Sequence, residues 1–271
     1  LETVPAKATL AGARAAQQFL AVATYADGSQ ADVTAEAQWS VSNPALASLA
    51  SARLTAAADG AVTLTAQWNG TKAQSAVVVR DSASPRPFDF SRDIGAILTK
   101  RGCNSSACHG GVKGRGGLKF SANALYPKDD YVWLTKGGTY QVLTTEVAGD
   151  RVPRVDLKAP EKSLLLTKPT METPHGGGKR LERDSEDYRT ILEWVKRGAP
   201  YGEAAQAAKL VALEVYPPMA VVPVDGARRL LVTGRFSDGH TEDYTSQVLF
   251  SSNNGDVATV NADGVDKGKA L

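Results

Sequence analysis

The sequence predicts a chain of three parts, with an all-β sandwich at each end and an all-α domain between them. The first observation behind this prediction is an internal repeat, because residues 25–49 align without gaps onto residues 236–260 at a constant offset of 211. The second is a change of pattern between the repeats, where apolar residues recur at helical spacing. We expect a first sandwich at residues 1–83, a helical domain at 84–203 and a C-terminally truncated sandwich at 204–271.

Both repeats show the alternation of apolar and polar residues that is typical of strands with one buried face. In each copy the alternating stretch ends at an aspartate–glycine turn, Asp27-Gly28 in the first and Asp238-Gly239 in the second. Residue 271 corresponds to Gly60, so the counterparts of the strands around 61–68 and 76–79 are missing from the second copy. We therefore expect the chain to be a fragment of a longer protein.

The two ends resemble bacterial immunoglobulin-like domains of group 2. The resemblance lies in the recurring aspartate–glycine turn and in a Val-Thr tail, which reads Val33-Thr34 in the first copy and Tyr244-Thr245, a variant, in the second. It implies an immunoglobulin-like sandwich at each end of the chain.

The central segment predicts several helices. Phe90, Ile94, Ile97 and Leu98 recur at helical spacing, with Ser91 as a possible N-cap. Ser185 predicts the start of a second helix over residues 186–197, which Gly198 and Pro200 would end. Shorter helices are expected from Pro160 to Leu166 and around residues 129–134.

The two cysteines of the chain, Cys103 and Cys108, have four residues between them, and His109 lies directly after the second. This pattern indicates a c-type haem attachment site, in which two thiols bind the haem vinyl groups and the imidazole binds the iron. The usual motif has two residues between the cysteines, so Asn104, Ser105 and Ser106 would have to leave the helix. A small disulfide loop and a zinc site that includes His175 remain as alternatives.

The order of predicted helices is that of a class I cytochrome c. Residues 88–200 also resemble the cytochrome c-like domain of large planctomycete proteins, through residues 102–110, 114–117, 163–166, 174–178 and 194–200. The resemblance implies a covalently haem-bearing redox domain in the cell envelope, with one haem c as its cofactor. The resemblance does not identify a substrate.

The sixth iron ligand is expected from the loop before the last helix, where Thr173 occupies the usual methionine position. His175 is the favoured ligand, which would give bis-histidine ligation with His109, and Met171 is the competitor. His175 could instead form a hydrogen bond with a haem propionate, which would leave the iron five-coordinate. We further expect Trp194 and Arg115 to contact the haem, although packing in the helical core also accounts for Trp194.

The expected function is that of a c-type cytochrome, which transfers one electron to a redox partner protein or to adjoining domains. Two alternatives stay open: a haem-based sensor or peroxidase-like site with an open sixth position, and a non-haem structural or adhesion module. No catalytic residue is predicted, and enzymatic activity is left undecided. The net charge of +2 indicates no nucleic-acid partner, no apolar run suggests a membrane span, and haem attachment implies a bacterial periplasmic or other extracytoplasmic location.

Overall fold

The computed structural model describes residues 1–84, 87–137, 139–140, 147–148, 152–202, 208–261 and 265–268. The chain divides into two compact units, one formed by Leu1–Arg86 with Ala208–Leu271 and the other by Pro87–Ala207. The boundary that the sequence predicts at residues 203 and 204 lies outside the described residues. The first unit contains both repeats.

The first repeat is built from ten short strands. They are β1 Glu2–Val4, β2 Lys7–Ala11, β3 Ala16–Gln18, β4 Leu20–Thr24, β5 Gln30–Asp32, β6 Gln38–Val41, β7 Ala47–Ala50, β8 Arg53–Ala56, β9 Gly60–Trp68 and β10 Thr71–Arg80. The strands form three sheets, in the orders β1-β4-β5, β2-β10-β9-β6 and β3-β8-β7. The first repeat is therefore all-β, as its alternating pattern predicts.

The four-stranded sheet supplies five of the eight buried residues in the main core of the first repeat. Val62 and Leu64 of β9 pack with Val77 and Val79 of β10, and all four side chains are buried. Polar residues alternate with them along β9, so one face of the sheet points inward and the other outward. β2 pairs in parallel with β10, and β6 pairs antiparallel with β9, so the two central strands hold the two outer ones.

The second repeat contains six strands among the described residues. They are β13 Leu210–Tyr216, β14 Ala227–Arg229, β15 Leu231–Phe236, β16 Thr241–Asp243, β17 Ala258–Val260 and β18 Val265–Gly268. The two strands numbered between the repeats, β11 Thr139–Tyr140 and β12 Val147–Ala148, belong to the other unit. The six strands form two sheets, β13-β15-β16 and β14-β18-β17.

The second unit contains short helical segments joined by turns. They are a π-helical turn Phe90–Gly95, α1 Ala96–Lys100, a 3₁₀ turn Ala122–Ala124, α2 Pro127–Lys136, a 3₁₀ turn Pro160–Lys162, α3 Leu164–Thr167 and α4 Glu186–Lys196. The Ser185 side chain accepts a hydrogen bond from the Tyr188 backbone N–H at the start of α4, which confirms the predicted cap. Trp194, Phe90 and Ile191 are fully buried at the centre of this unit.

The prediction of an all-α class I cytochrome c domain is wrong. The described residues are mainly β, the helices of the second unit are short, and β11 and β12 pair within the same unit. The segment that carries Cys108 and His109 is a series of turns. Its backbone departs from the helical pattern because the N–H groups of His109 and Gly110 donate to carbonyl groups six and five residues earlier, at Cys103 and Ser105.

No helix of the described residues has the length and apolar character that a membrane crossing requires.

Candidate functional site

The segment from Cys103 to Gly110 is a compact loop that follows α1. The Cys103 N–H donates to the Leu98 carbonyl at 2.8 Å, and the His109 N–H donates to the Cys103 carbonyl at 3.0 Å. Asn104 is buried, and its side-chain amide donates to Thr99 Oγ1 at 2.8 Å. A Cβ atom at Gly110 would overlap the backbone carbonyl of Asn104, so only glycine fits at this position.

His109 and His175 lie beside each other although they are far apart in sequence. Their rings are nearly parallel, with an angle of 11° and centroids 6.2 Å apart. His109 Nδ1 lies 3.0 Å from the Arg115 carbonyl and 3.2 Å from that of Leu118. His175 Nδ1 lies 2.8 Å from the Gly178 carbonyl. Because a carbonyl oxygen only accepts, each ring carries its proton on Nδ1.

The electrostatics of this loop are set by burial. Burial lowers the pKa of His109 below its ordinary value, although its carbonyl partners act in the opposite direction. Burial also raises the pKa of the Cys103 thiol to about 11, with Arg180 offsetting part of the effect. Both Cys103 and Cys108 are free thiols in this structure. Cys103 is therefore protonated at neutral pH and a poor nucleophile.

The remaining sequence-predicted residues lie in different surroundings. Arg115 has an exposed side chain, and its backbone carbonyl is what contacts the His109 ring. Trp194 is fully buried, donates its indole N–H to the Pro200 carbonyl at 2.8 Å and packs 5.8 Å from the Phe90 ring. Met171 is 47 % exposed and has a φ of 66°.

Sequence reasoning missed Arg154 as a member of this region. Its guanidinium donates to the carbonyls of Gly117 at 2.7 Å and Gly116 at 3.2 Å, which hold the loop that carries the His109 partners. Burial lowers the pKa of Arg154. Because Arg154 lies 37 residues beyond Gly117, no local pattern identifies the contact.

The expectations of a haem c cofactor, of iron binding and of a cytochrome function are not supported by these observations. Among the described residues, no group of three or more His, Cys, Asp or Glu side chains could hold a metal ion. His109 and His175 instead form a stacked pair, each fixed by backbone carbonyls. The class I fold that would have surrounded a haem is also missing from the described part of the second unit.

A second feature is a cleft of about 300 Å³ between the two repeats of the first unit. The Gln18 N–H donates to Asp243 Oδ2 at 2.7 Å, and the Arg229 N–H donates to Asp32 Oδ2 at 2.9 Å. Gln18 and Arg229, like Asp32 and Asp243, are separated by the repeat offset, so the two contacts are equivalent. Arg53 forms an ion pair with Asp243 at 3.6 Å, and Arg229 forms one with Asp32 at 3.5 Å.

The cleft contains polar and apolar groups from both repeats. Its lining includes Leu20, Ser51 and Arg53 from the first repeat and Arg229, Thr245 and Ser246 from the second. Because the two arginines are already paired with carboxylates, the cleft offers no uncompensated positive charge from them for an anion. Its contacts serve to hold the repeats together.

No family model matches the chain. Ice-binding protein 1 of Shewanella frigidimarina (strain NCIMB 400) is 27 % identical to it over 255 residues, which cover 93 % of the chain and 24 % of the relative. The chain thus spans about a quarter of the length of this curated relative. These findings, with the mainly β fold, correct the expected resemblance to planctomycete cytochrome c-like domains flanked by immunoglobulin-like domains of group 2.

Proposed function

We propose that this chain is a structural and adhesion module, without haem, of a protein located outside the cytoplasm. The observation that carries the proposal is the reciprocal contact between the two repeats, in which Asp32 and Asp243 each bind a backbone N–H of the other repeat. Both carboxylates are almost completely buried. Hydrogen bonds to buried charged groups are costly to break, so the pair holds the two repeats in one geometry. Fixed geometry is what a structural module requires.

The outward face of the β2-β10-β9-β6 sheet supports the adhesive part of the proposal. Ser40, Thr65 and Gln74 stand in one row across three neighbouring strands. The Gln74 amide donates to Thr65 Oγ1 at 3.2 Å, which orders the two side chains. Thr63 lies two residues before Thr65 on the same face of β9. A row of uncharged hydroxyl and amide groups at strand spacing suits an extended, hydrated surface.

Ice is the ligand that the comparison favours, because the relative that aligns with 93 % of the chain is named an ice-binding protein. Retention of the purified chain on growing ice, with polysaccharide-coated beads assayed in parallel, tests this ligand. Thr65→Lys places a charged side chain in the centre of the row, and we expect it to reduce retention at least ~10-fold. Thr24→Lys is the matched control, because Thr24 is an exposed threonine at the end of β4 in another sheet.

Two results would count against the proposal. If neither ice nor the coated beads retain the wild-type chain, the adhesive function is wrong. If Thr65→Lys and Thr24→Lys are retained equally well, adhesion does not involve the outward face of this sheet. Retention by the beads alone would support adhesion and reject ice as its ligand.

A further inference from the structure

Cys103 and Cys108 are two thiols for which the adhesive function has no use. They are the two cysteines of the chain, and both lie in one loop of the second unit. Both side chains are partly exposed, so a small reagent can reach them. Outside the cytoplasm, unprotected thiols that lie close together are oxidised to disulfides. Whether these two can pair depends on how the loop places them.

The loop holds Cys103 against the core of the second unit. The Cys103 N–H donates to the carbonyl of Leu98 in α1, and the Cys103 side chain packs against the buried core. The next residue, Asn104, is itself buried, and its side-chain amide donates to Thr99 Oγ1. Cys103 therefore has a fixed position at the end of α1.

Backbone hydrogen bonds bring Cys108 back to Cys103. The His109 N–H donates to the Cys103 carbonyl at 3.0 Å, and the Cys108 N–H donates to the Ser105 carbonyl at 3.0 Å. An amide nitrogen lies about 2.4 Å from the preceding Cα, and a carbonyl oxygen lies about 2.4 Å from its own Cα. The Cα atoms of the two cysteines are thus at most about 7.8 Å apart. Because a hydrogen bond meets a carbonyl oxygen at an angle, the path is bent and the separation is shorter, toward the about 4.4 to 6.8 Å that disulfides span.

The charges around Cys103 agree with this geometry. Burial raises the pKa of the Cys103 thiol, Arg180 offsets part of the effect, and Cys108 raises the pKa further because two neighbouring thiolates repel each other. Such repulsion weakens with distance, so the two sulfur atoms are neighbours. In the reduced chain Cys103 is protonated at neutral pH, and Cys108 is therefore the thiol that reacts first.

We propose that Cys103 and Cys108 form an intramolecular disulfide, which closes the loop that leads to His109 and Gly110. The Cys108 thiolate attacks one sulfur atom of a small disulfide oxidant, such as glutathione disulfide, and one oxidant thiol leaves. The Cys103 sulfur then attacks the Cys108 sulfur of the mixed disulfide, and the second oxidant thiol leaves as the new bond forms. The chain loses two electrons and two protons, and the oxidant gains both.

The disulfide adds a covalent constraint to a loop that hydrogen bonds already fix. A cross-link restricts the unfolded chain more than the folded one, and for a closed loop of this length it should lower the unfolding equilibrium constant roughly 40-fold. Because the two equilibria are linked, folding should favour the disulfide by the same factor. The inference rests on the proposed function only for the oxidising location, since the adhesive row lies in the first unit.

The test uses the full 271-residue chain, purified with a reductant and then equilibrated in glutathione buffers of graded composition, with and without denaturing urea. After an acid quench, maleimide labelling and intact mass count the free thiols. We expect the native chain to take up no maleimide and to be lighter by two hydrogen atoms, even at about 10-fold excess of reduced over oxidised glutathione. In urea the midpoint should require a roughly 40-fold lower ratio of squared reduced to oxidised glutathione.

Single substitutions identify the bond and the order of the two steps. Cys103→Ser leaves Cys108 without its partner, so we expect one bound glutathione on this variant. Cys108→Ser leaves the buried Cys103, which should take up glutathione at least ~10-fold more slowly. Ala107→Ser is the matched control, because Ala107 is exposed between the two cysteines and its replacement should leave the disulfide intact.

Three outcomes would overturn the proposal. The first is a native chain that keeps two free thiols, or carries two glutathiones, when oxidised glutathione is in excess. The second is the same midpoint with and without urea, which would show that the fold does not hold the thiols together. The third is a disulfide between two chains, seen as a dimer on a non-reducing gel. Loss of adhesion in a chain whose disulfide forms as expected would count against the adhesive function alone.

Discussion

Asp32 and Asp243 are bound in the same way, each by the repeat to which it does not belong. Asp32 Oδ2 accepts from the Arg229 N–H at 2.9 Å, and Asp243 Oδ2 accepts from the Gln18 N–H at 2.7 Å. The second oxygen of each carboxylate accepts from the backbone two residues later in its own repeat, at 2.9 Å in both cases. The contact is therefore self-complementary, as in a symmetric dimer, although one chain supplies both halves.

Removal of either carboxylate should destabilise the first unit. We expect Asp32→Ala and Asp243→Ala each to lower the free energy of unfolding by about 1 to 3 kcal/mol, because buried backbone N–H groups lose their acceptor. Urea unfolding of the full chain measures the change. Asp256→Ala is the control, since Asp256 is exposed in the second repeat and its loss should cost less than about 0.5 kcal/mol. Equal midpoints for all three variants would contradict the assigned role of the contact.

Gly110 should tolerate no side chain. Gly110→Ala directs a methyl group into the Asn104 carbonyl, and we expect a loss of roughly 3 kcal/mol or more because backbone atoms would have to move. Gly176→Ala is the matched control, because a Cβ atom at Gly176 meets nothing within 4 Å. Thermal unfolding and limited proteolysis of both variants test the difference. Similar behaviour of the two variants would show that the loop can shift to accept the methyl group.

The buried thiol of Cys103 should make the second unit sensitive to alkaline pH. Its pKa is raised to about 11 by burial, from an ordinary value of 9.0. As pH rises, the unfolded chain loses the proton first, so the stability present below about pH 9 is lost between about pH 9 and pH 11. Over this range the free energy of unfolding should fall by roughly 3 kcal/mol in total. Urea unfolding across this range is the measurement.

Two substitutions identify the group responsible for that alkaline loss. Cys103→Ala removes the titrating thiol and should flatten the dependence of stability on pH, whereas Cys108→Ala should preserve it. Parallel curves for the wild type and Cys103→Ala would assign the effect to another group.

His109 should make the same unit sensitive to acid. Burial lowers its pKa below the ordinary value of 6.5, so the unfolded chain takes up a proton first as the pH falls. The stabilising contribution is present above about pH 6.5 and is lost as the pH falls through the lowered pKa. Hydrogen exchange of amides in residues 103–120 at about pH 7 and pH 5 reports this loss, after correction for the intrinsic rate.

His109→Gln should reduce the acid sensitivity, because glutamine does not titrate. His240→Gln is a control from the first unit, where His240 follows the Asp238-Gly239 turn and should leave exchange at residues 103–120 unchanged. If His109→Gln keeps the full pH dependence, a neighbouring group accounts for it.

The local features of the fold were predictable because they depend on residues close in sequence. The Asp27-Gly28 turn forms with Gly28 at a φ of 84° and with the Ser29 N–H donating to Asp27 Oδ1. The Ser185 cap lies where the sequence predicts it, and so does α4. The offset of 211 residues also identified equivalent strands in two parts of the chain. Each of these features is specified within a few residues or by direct repetition.

The nature of the candidate site was not predictable in the same way. The sequence singles out Cys103, Cys108 and His109 as candidate site residues. In the structure the ring centroid of His175 lies 6.2 Å from that of His109. The class I cytochrome fold assumed around them was wrong, because alternating turns and short helices can contain the same apolar spacing as longer helices. Short apolar motifs do not specify helix length.

The sequence by itself determined the repeat, its turns and its capped helix, since these depend on local backbone preferences and direct correspondence of residues. Only the tertiary structure decided that the two repeats share one unit, with Asp32 and Asp243 bound reciprocally over about 200 residues of sequence separation. It also decided that residues 249–252, which the offset of 211 aligns with β6, form no strand in the described second repeat. A strand is stabilised by its neighbours, so its formation depends on partners that its own sequence does not contain.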